Sequence, residues 1–299
     1  MLDKKLEDFL LHWSQWQPLQ GIGKNKTISA GAGLYRVRSQ NKNNLDYIGQ
    51  TGRSLRERLG ALAIGIYKDY MPYRDPHTAS PAFWATQQTQ DMELEASVCE
   101  ISDVSKPHLK GLECLAIYEH RIKFGLSPSF NFGRMPTGFS NSSGNNKNLI
   151  KSGKRFRGQL ITETLDCHKK GMAPLEPIKN TNKNLGQILQ LNWSEWSHQD
   201  AHKNLKGFET GLYILRHKNK NVFLYVGEGK IKDRINAHLK KGQKPNHRQY
   251  PFFKDHRDIE ISYAINNSLK SHHRLEIEND LIGAYLKKFN DIPRAQFIG

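Results

Sequence analysis

Tyr35 and Tyr47 stand twelve positions apart, and Tyr213 and Tyr225 repeat that spacing without a gap. Each pair is followed by an arginine, Arg58 or Arg234, and later by a glutamate, Glu113 or Glu278, that lies fifteen positions before a proline in both cases. A phenol, a guanidinium and a carboxylate are groups that handle protons, anionic oxygens and hard cations. The order matters more than any member, because a lone helical glutamate is ordinarily a solvated residue.

The elements that must hold these groups are also written twice. GLYRVRSQNKNNLDYIGQTGRSLRERL from Gly33 and GLYILRHKNKNVFLYVGEGKIKDRI from Gly211 each read as a strand, a polar Asn and Lys turn, a second strand and a helix with a basic face. ELEASVCEI and IEISYAI then alternate apolar and polar residues, and each precedes a long helical pattern, from Gly111 and from Glu276. The fold expected is α+β: two tandem copies of a unit of about 100 residues, each a short, mainly antiparallel sheet flanked by helices. LHWSQW from Leu11 and LNWSEW from Leu191 open the copies. Trp13 with Trp16, and Trp193 with Trp196, have the i, i+3 spacing of a buried stripe on a leading helix. The expected boundaries are 1–140 for the first copy, 141–185 for a linker and 186–299 for the second copy. The linker holds SNSSGNNKNLIKSGKRFRGQ, a Ser, Asn and Gly cluster running into Lys154, Arg155 and Arg157. Its composition predicts a flexible connection, and its charge would suit a nucleic-acid backbone.

A chain of 299 residues, 37% hydrophobic and 25% charged, has room for two cores and carries no apolar run of the roughly 18 residues that a membrane helix needs. MLDKKLEDFLLHW has acidic residues where a signal peptide would be apolar, which predicts a cytoplasmic protein. Cys99, Cys114 and Cys167 have neither disulfide nor zinc spacing and read as small apolar residues. The net charge is +16, and most of the excess falls after residue 150, where 27 basic residues face 15 acidic ones. Such a balance favours polyanionic partners.

GLY followed by YIG (Gly33, Leu34, Tyr35; Tyr47, Ile48, Gly49) and GLY followed by YVG (Gly211, Leu212, Tyr213; Tyr225, Val226, Gly227) resemble the signature of the GIY-YIG nucleases. That family includes the incision subunit of excision repair, intron homing endonucleases and several type II restriction enzymes. The resemblance covers about residues 30 to 135 and 208 to 299, and the Arg, Glu and Pro that follow in order make it specific. It implies a divalent-metal-dependent DNA endonuclease that hydrolyses phosphodiester bonds. A tyrosine of each pair would deprotonate the attacking water, with Arg58 and Arg234 holding the phosphate and helping to lower a tyrosine pKa that is otherwise about 10. Glu113 and Glu278 would hold Mg²⁺ (or Mn²⁺), which needs only one or two protein ligands. ENDLI at Glu278 resembles the matching phrase of the repair nucleases.

The copies differ in instructive places. His238 lies one helical turn after Arg234, where family restriction enzymes often carry a His that orients the tyrosine, whereas the first copy has Leu62 there and must lack the helper or take it from elsewhere. Asn131 matches the family's terminal Asn, which supports the tyrosine or the water, and Gln296 replaces it. Glu228 stands where the first copy has Gln50. Arg56 competes with Arg58, and Glu119, twelve positions before Asn131, competes with Glu113, although Ala284 occupies the place matching Glu119. Lys240, Lys241, Lys244 and Arg248, in the basic and aromatic tract from His238, are expected to contact DNA. The resemblance and the repeat imply a single-chain counterpart of a homodimeric restriction enzyme, cutting both strands of double-stranded DNA, with a cognate DNA methyltransferase as a possible partner. The competing readings are a nicking repair nuclease with one active and one DNA-binding domain, and a DNA-binding protein without catalysis.

Overall fold

The computed structural model describes residues 11–40, 42–175, 191–218 and 222–298. They form two compact units. One is Phe9–Ser105 with Ser127–Gly171, here the N-terminal unit; the other joins Lys106–Leu126 to Met172–Gly299 and is the C-terminal unit.

The N-terminal unit contains β1 (Gln17–Pro18), β2 (Gly33–Ser39), β3 (Tyr47–Thr51), helices α1 (Leu55–Ile66) and α2 (Ser80–Gln87), and β4 (Leu94–Glu100). The strands form an antiparallel sheet in the order β1-β4-β2-β3. Period-two alternation in β2 puts Tyr35 and Val37 into a core shared with Leu55, Leu59 and Leu62 of α1 and Phe83 of α2. Ser54 starts α1 by accepting a hydrogen bond from the Glu57 N–H at 3.1 Å.

Helix α3 (Lys106–Phe124) belongs to the C-terminal unit. Next along the chain, in the N-terminal unit, come β5 (Phe139–Ser140), the short helix α4 (Lys147–Lys151) and β6 (Gln159–Leu160). The C-terminal unit continues with β7 (Ser197–His198), β8 (Thr210–His217), β9 (Phe223–Lys230), α5 (Ile231–Lys241), α6 (Tyr250–Phe253), β10 (Ile259–Ile265) and α7 (Ser271–Phe289). Its sheet runs β7-β10-β8-β9, the same antiparallel order as the first. Leu212 and Ile214 on one face of β8 pack with Ile277 and Leu281 of α7, while Tyr213 and Leu215 on the other pack with Ile231 and Ile235 of α5. Burying each such aliphatic side chain is worth about 1.5–3 kcal/mol.

Three sequence expectations change. The Trp phrases at 11–16 and 191–196 are extended rather than helical and lead directly into the edge strands β1 and β7; the residues before them lie outside the described ones. Their shared serine explains the repeated wording. The Ser14 N–H donates to the Val98 carbonyl (2.7 Å), its Oγ accepts from the Val98 N–H (3.0 Å) and its carbonyl accepts from Ser97 Oγ (2.8 Å). Ser194 makes the same three bonds to Tyr263 and Ser262 (2.8, 3.1 and 2.7 Å). The tryptophans are half-buried: Trp193 and Trp196 lie against the C-terminal core, and arginines cover Trp13, Trp16 and Trp196, with Arg38 4.1 Å above Trp16 and Arg216 4.0 Å above Trp196.

Secondly, residues 141–171, within the expected linker, carry α4, β6 and a 3₁₀ turn at Asp166–His168, and β6 pairs with β5 inside the N-terminal unit; 176–185 lie outside the described residues. Thirdly, α3, from the first copy, groups with the second. Tyr118 of α3 sits in one core cluster with Ile277, Leu281 and Tyr285 of α7. A buried ion cluster reinforces that packing. Arg121 of α3 donates from Nε to Asp280 of α7 (2.7 Å), has Nη1 3.6 Å from Glu276, and donates to the Met172 and Ala173 carbonyls. The carboxylates also accept from the Met172 N–H (2.6 Å, Glu276) and the Leu175 N–H (3.0 Å, Asp280). All three side chains are fully buried, and burial pushes the Asp280 carboxyl up to about 6 against the pull of Arg121.

Candidate active site

In the C-terminal unit, β8 and β9 put Tyr213 opposite Gly227, and the tyrosine ring lies across that glycine. A Cβ on Gly227 would meet the Tyr213 hydroxyl. Gly49 has the same relation to Tyr35 in the N-terminal unit, so the last glycine of YIG and YVG exists to let the tyrosine of GLY pass. Tyr213 and Tyr225 stack at 6.2 Å between centroids, and His238 from α5 closes the triangle, 4.1 Å from the Tyr225 ring and 6.0 Å from that of Tyr213.

His238 Nε2 lies 3.0 Å from the Tyr213 hydroxyl, and Lys241 Nζ lies 3.4 Å from Nδ1. An ammonium only donates, so Nδ1 is the acceptor and the ring proton sits on Nε2, from which it donates to the Tyr213 oxygen. Burial, reinforced by Lys241 and Arg234, lowers the imidazole to about 3, so the ring is neutral. Arg234, exposed on α5, donates from Nε to the Glu228 carbonyl (3.2 Å). The Glu228 carboxylate is held by Arg274 of α7 at 2.8 Å. Glu278 is half-buried, and no hydrogen bond or ion pair to it is present among the described residues. Burial and the nearby Glu228 push its carboxyl up to about 8, and Arg234 only partly offsets them.

Neither tyrosine is lowered by its arginine. Burial, then the Glu278 charge, raises Tyr225 to about 12, and burial, then Tyr225, raises Tyr213 well above the ordinary phenol value; Arg234 opposes both and loses.

The N-terminal unit builds the same triangle from other sequence positions. Tyr35 and Tyr47 are 6.1 Å apart, and His77 stands 5.7 and 5.3 Å from them. His77 Nδ1 accepts from the Ala79 N–H (3.2 Å), which places the ring proton on Nε2, 2.8 Å from the Tyr35 hydroxyl. Burial, helped by Arg58, holds this imidazole well below its usual value. The Arg58 Nε also donates to the Tyr35 oxygen (3.3 Å), and its Nη1 donates to the Pro76 carbonyl. The missing helper at Leu62, which is a core residue, is therefore supplied by the loop before α2. The signal is visible in retrospect: HTASPAF from His77 and HRQYPFF from His247 share His, Pro and Phe in register, and Phe83 and Phe253 are both fully buried.

Asn131 and Gln296 act on the backbone. Asn131 accepts from the Ile48 N–H (3.0 Å) and donates to the Ile48 carbonyl (2.8 Å), while Gln296 accepts from the Val226 N–H (3.0 Å). Both amides clamp the middle residue of YIG or YVG, so Gln296 reproduces part of what Asn131 does.

Glu113 is half-buried on α3 beside Cys114, whose thiol is raised by burial and by the neighbouring Glu113, Glu278 and Asp280 charges. Glu119 is exposed on the same helix, 3.2 Å from Lys287. Lys241 points inward, donating to Gln249 at 2.7 Å, so it belongs with His238 rather than with an outer DNA-facing row; Lys240, Lys244 and Arg248 are exposed.

Residues 209–290 match the GIY-YIG catalytic domain. The match concerns the C-terminal unit, and the signature it recognises is the one read at Gly211–Gly227. It spans β8, β9, α5, β10 and α7 and so contains Tyr213, Tyr225, Arg234, His238 and Glu278; it covers the second copy alone. Neither the curated proteins nor the solved structures yield a match to the chain. No helix among the described residues is long and apolar enough to cross a membrane.

Proposed function

We propose that the chain is a divalent-metal-dependent DNA endonuclease whose C-terminal unit hydrolyses a phosphodiester bond at Tyr213, Tyr225, Arg234, His238 and Glu278. The observation that carries this reading is Glu278, a half-buried carboxylate raised to about 8, with no donor to it among the described residues, whose charge acts on Tyr213 and Tyr225 and is opposed by Arg234. Such a group suits a hard cation, and no cluster of three or more metal-binding side chains occurs among the described residues. A single protein ligand fits Mg²⁺ or Mn²⁺, which retain several waters. Bound there, the ion would supply positive charge to a scissile phosphate oxygen and to nearby hydroxyl groups.

The remaining roles follow from the geometry. Arg234 presents an exposed guanidinium to a phosphate. The Nε2–H of His238 fixes the Tyr213 oxygen and opposes the burial that disfavours its phenolate; Tyr213 is the base we assign, taking the proton of the attacking water. Lys241 sets the tautomer that makes this possible. Glu228 withholds its carboxylate from the cation site through Arg274 and acts on Glu278 by repulsion.

That repulsion gives a pH prediction. Glu228→Gln removes one negative charge and leaves Arg274 uncompensated, and both effects lower the Glu278 pKa. The acid limb of the cleavage profile is expected to move down by about one pH unit. An unmoved limb in rate measurements from pH 6 to 9 would remove Glu228 from this role.

The Tyr35, Tyr47, Arg58 and His77 set supports a restriction-type enzyme with two sites in one chain, each cutting one strand of duplex DNA. His77→Ala and His238→Ala should then each slow one strand's cleavage on the order of 10²-fold. Leu62→Ala should act on stability, costing about 2–5 kcal/mol in urea denaturation. The domain match to the second copy alone favours a second reading, a nicking enzyme with one active unit. Supercoiled plasmid in Mg²⁺ separates them: linear product supports paired sites, open circles that persist support one, and cutting that survives EDTA excludes the metal-dependent mechanism.

A further inference from the structure

The N-terminal unit carries a basic element that the site chemistry does not use. Between Lys147 and Arg157 the chain has five cations, Lys147, Lys151, Lys154, Arg155 and Arg157, and no acidic residue. The three lysines are exposed, and no hydrogen bond or ion pair of their side chains is present among the described residues. The segment has a fixed course. The Ser143 N–H donates to the Phe156 carbonyl (2.6 Å), the Phe156 N–H donates to Ser143 Oγ (2.8 Å), and the Arg74 N–H donates to the Ser143 carbonyl (3.1 Å).

Its arginines are stacked rather than splayed. The Arg155 guanidinium lies 3.6 Å from the Tyr73 centroid, and that of Arg157 lies 4.2 Å from Tyr73 and 4.3 Å from Tyr70. Arg155 also pairs with Asp75, two residues before His77. The arm is thus moored to the loop that supplies the Tyr35 helper. Stacking occupies guanidinium faces and leaves donor edges for anionic oxygens, and it reduces the side-chain entropy lost when a phosphate binds.

We propose that Lys147–Arg157 is a preorganised arm that grips the sugar–phosphate backbone of duplex DNA beside the Tyr35, Tyr47 and His77 set. A duplex is favoured over an unpaired strand because Tyr73 already carries two guanidinium groups and Tyr70 one, which leaves less aromatic face for stacking bases. The inference rests on the nuclease reading for its substrate and makes the arm a non-sequence-specific anchor.

The test measures binding and cutting separately. Binding of a 30-base-pair duplex by full-length protein is followed by fluorescence anisotropy in EDTA over a series of salt concentrations, for wild type, for Lys147→Gln/Lys151→Gln/Lys154→Gln and for Arg157→Gln. The triple variant is expected to lower the slope of log K against log salt by roughly 2 to 3, at about 0.9 per phosphate contact, and to weaken binding at least tenfold near physiological salt. Arg157→Gln is expected to lower the slope by about one. In plasmid cleavage the triple variant should raise KM with kcat unchanged. Unchanged slopes with normal cutting would overturn the arm and leave the nuclease reading intact. Lost slope with a wild type that never cuts would keep the arm and sink the nuclease. A loss confined to single-stranded oligonucleotide would overturn the duplex assignment.

Discussion

Glu278→Gln is expected to slow cleavage at the C-terminal site by about 10³-fold or more, and at the same time to raise the melting temperature in metal-free buffer. The two effects have one origin. Burial and the repulsion of Glu228 raise the folded-state pKa of this carboxyl to about 8, against an unfolded value near 4.3. Below about pH 4 both states hold the proton and Glu278 has no effect on stability. Between pH 4 and 8 the unfolded chain releases its proton first, so the folded state is progressively disfavoured. A glutamine removes that penalty, on the order of 1–2 kcal/mol at pH 8 after allowance for solvent at a half-buried group. The gain should vanish near pH 4. Mg²⁺ should raise the melting temperature of wild type more than that of Glu278→Gln, since only the former has the Glu278 carboxylate for it to bind. Calorimetry with and without Mg²⁺ checks both signs without any DNA present.

Arg121→Met is expected to be the most destabilising single change in the C-terminal unit. It removes the cation from between two fully buried carboxylates, which also accept from the Met172 and Leu175 N–H groups. Breaking a buried charge pair on one side costs about 3–5 kcal/mol. The loss should shrink as pH falls below about 6, because Asp280, already raised to about 6 with Arg121 present, rises further without it and accepts a proton. Adding Glu276→Gln and Asp280→Asn should recover most of the stability, because no charge then stays buried alone. Urea melts at pH 5 and pH 8 measure both. A loss of under about 1 kcal/mol at pH 8 would mean that water reaches the cluster, contrary to its burial.

The duplicated hairpin was legible because strand alternation and the twelve-residue tyrosine spacing are local properties, and both sheets formed as read. Arg58 and Arg234 followed from position on the next helix. The Trp phrases misled because an i, i+3 spacing over six residues fits a helix and a half-buried extended segment alike; Ser14 and Ser194, with their three bonds each, decided the matter. His77 was invisible to helix spacing because it reaches Tyr35 from a loop 42 residues away in sequence, and only the second, weaker repeat around His247 marks it. Gln296 looked like a departure from Asn131, yet one extra methylene leaves an amide that still meets the strand backbone. The placement of α3 and the Arg121 cluster had no local signature at all, since helix partners more than 150 residues apart are chosen by packing.

The most direct measurement is single-turnover cleavage of supercoiled plasmid by wild type and Glu278→Gln over a Mg²⁺ titration, with duplex affinity measured in EDTA as a control for folding. Wild type should cut in proportion to bound Mg²⁺, and Glu278→Gln should bind DNA as tightly while yielding no product that depends on the C-terminal site. Equal rates for the two proteins at every Mg²⁺ concentration would contradict a phosphodiesterase centre built on Glu278.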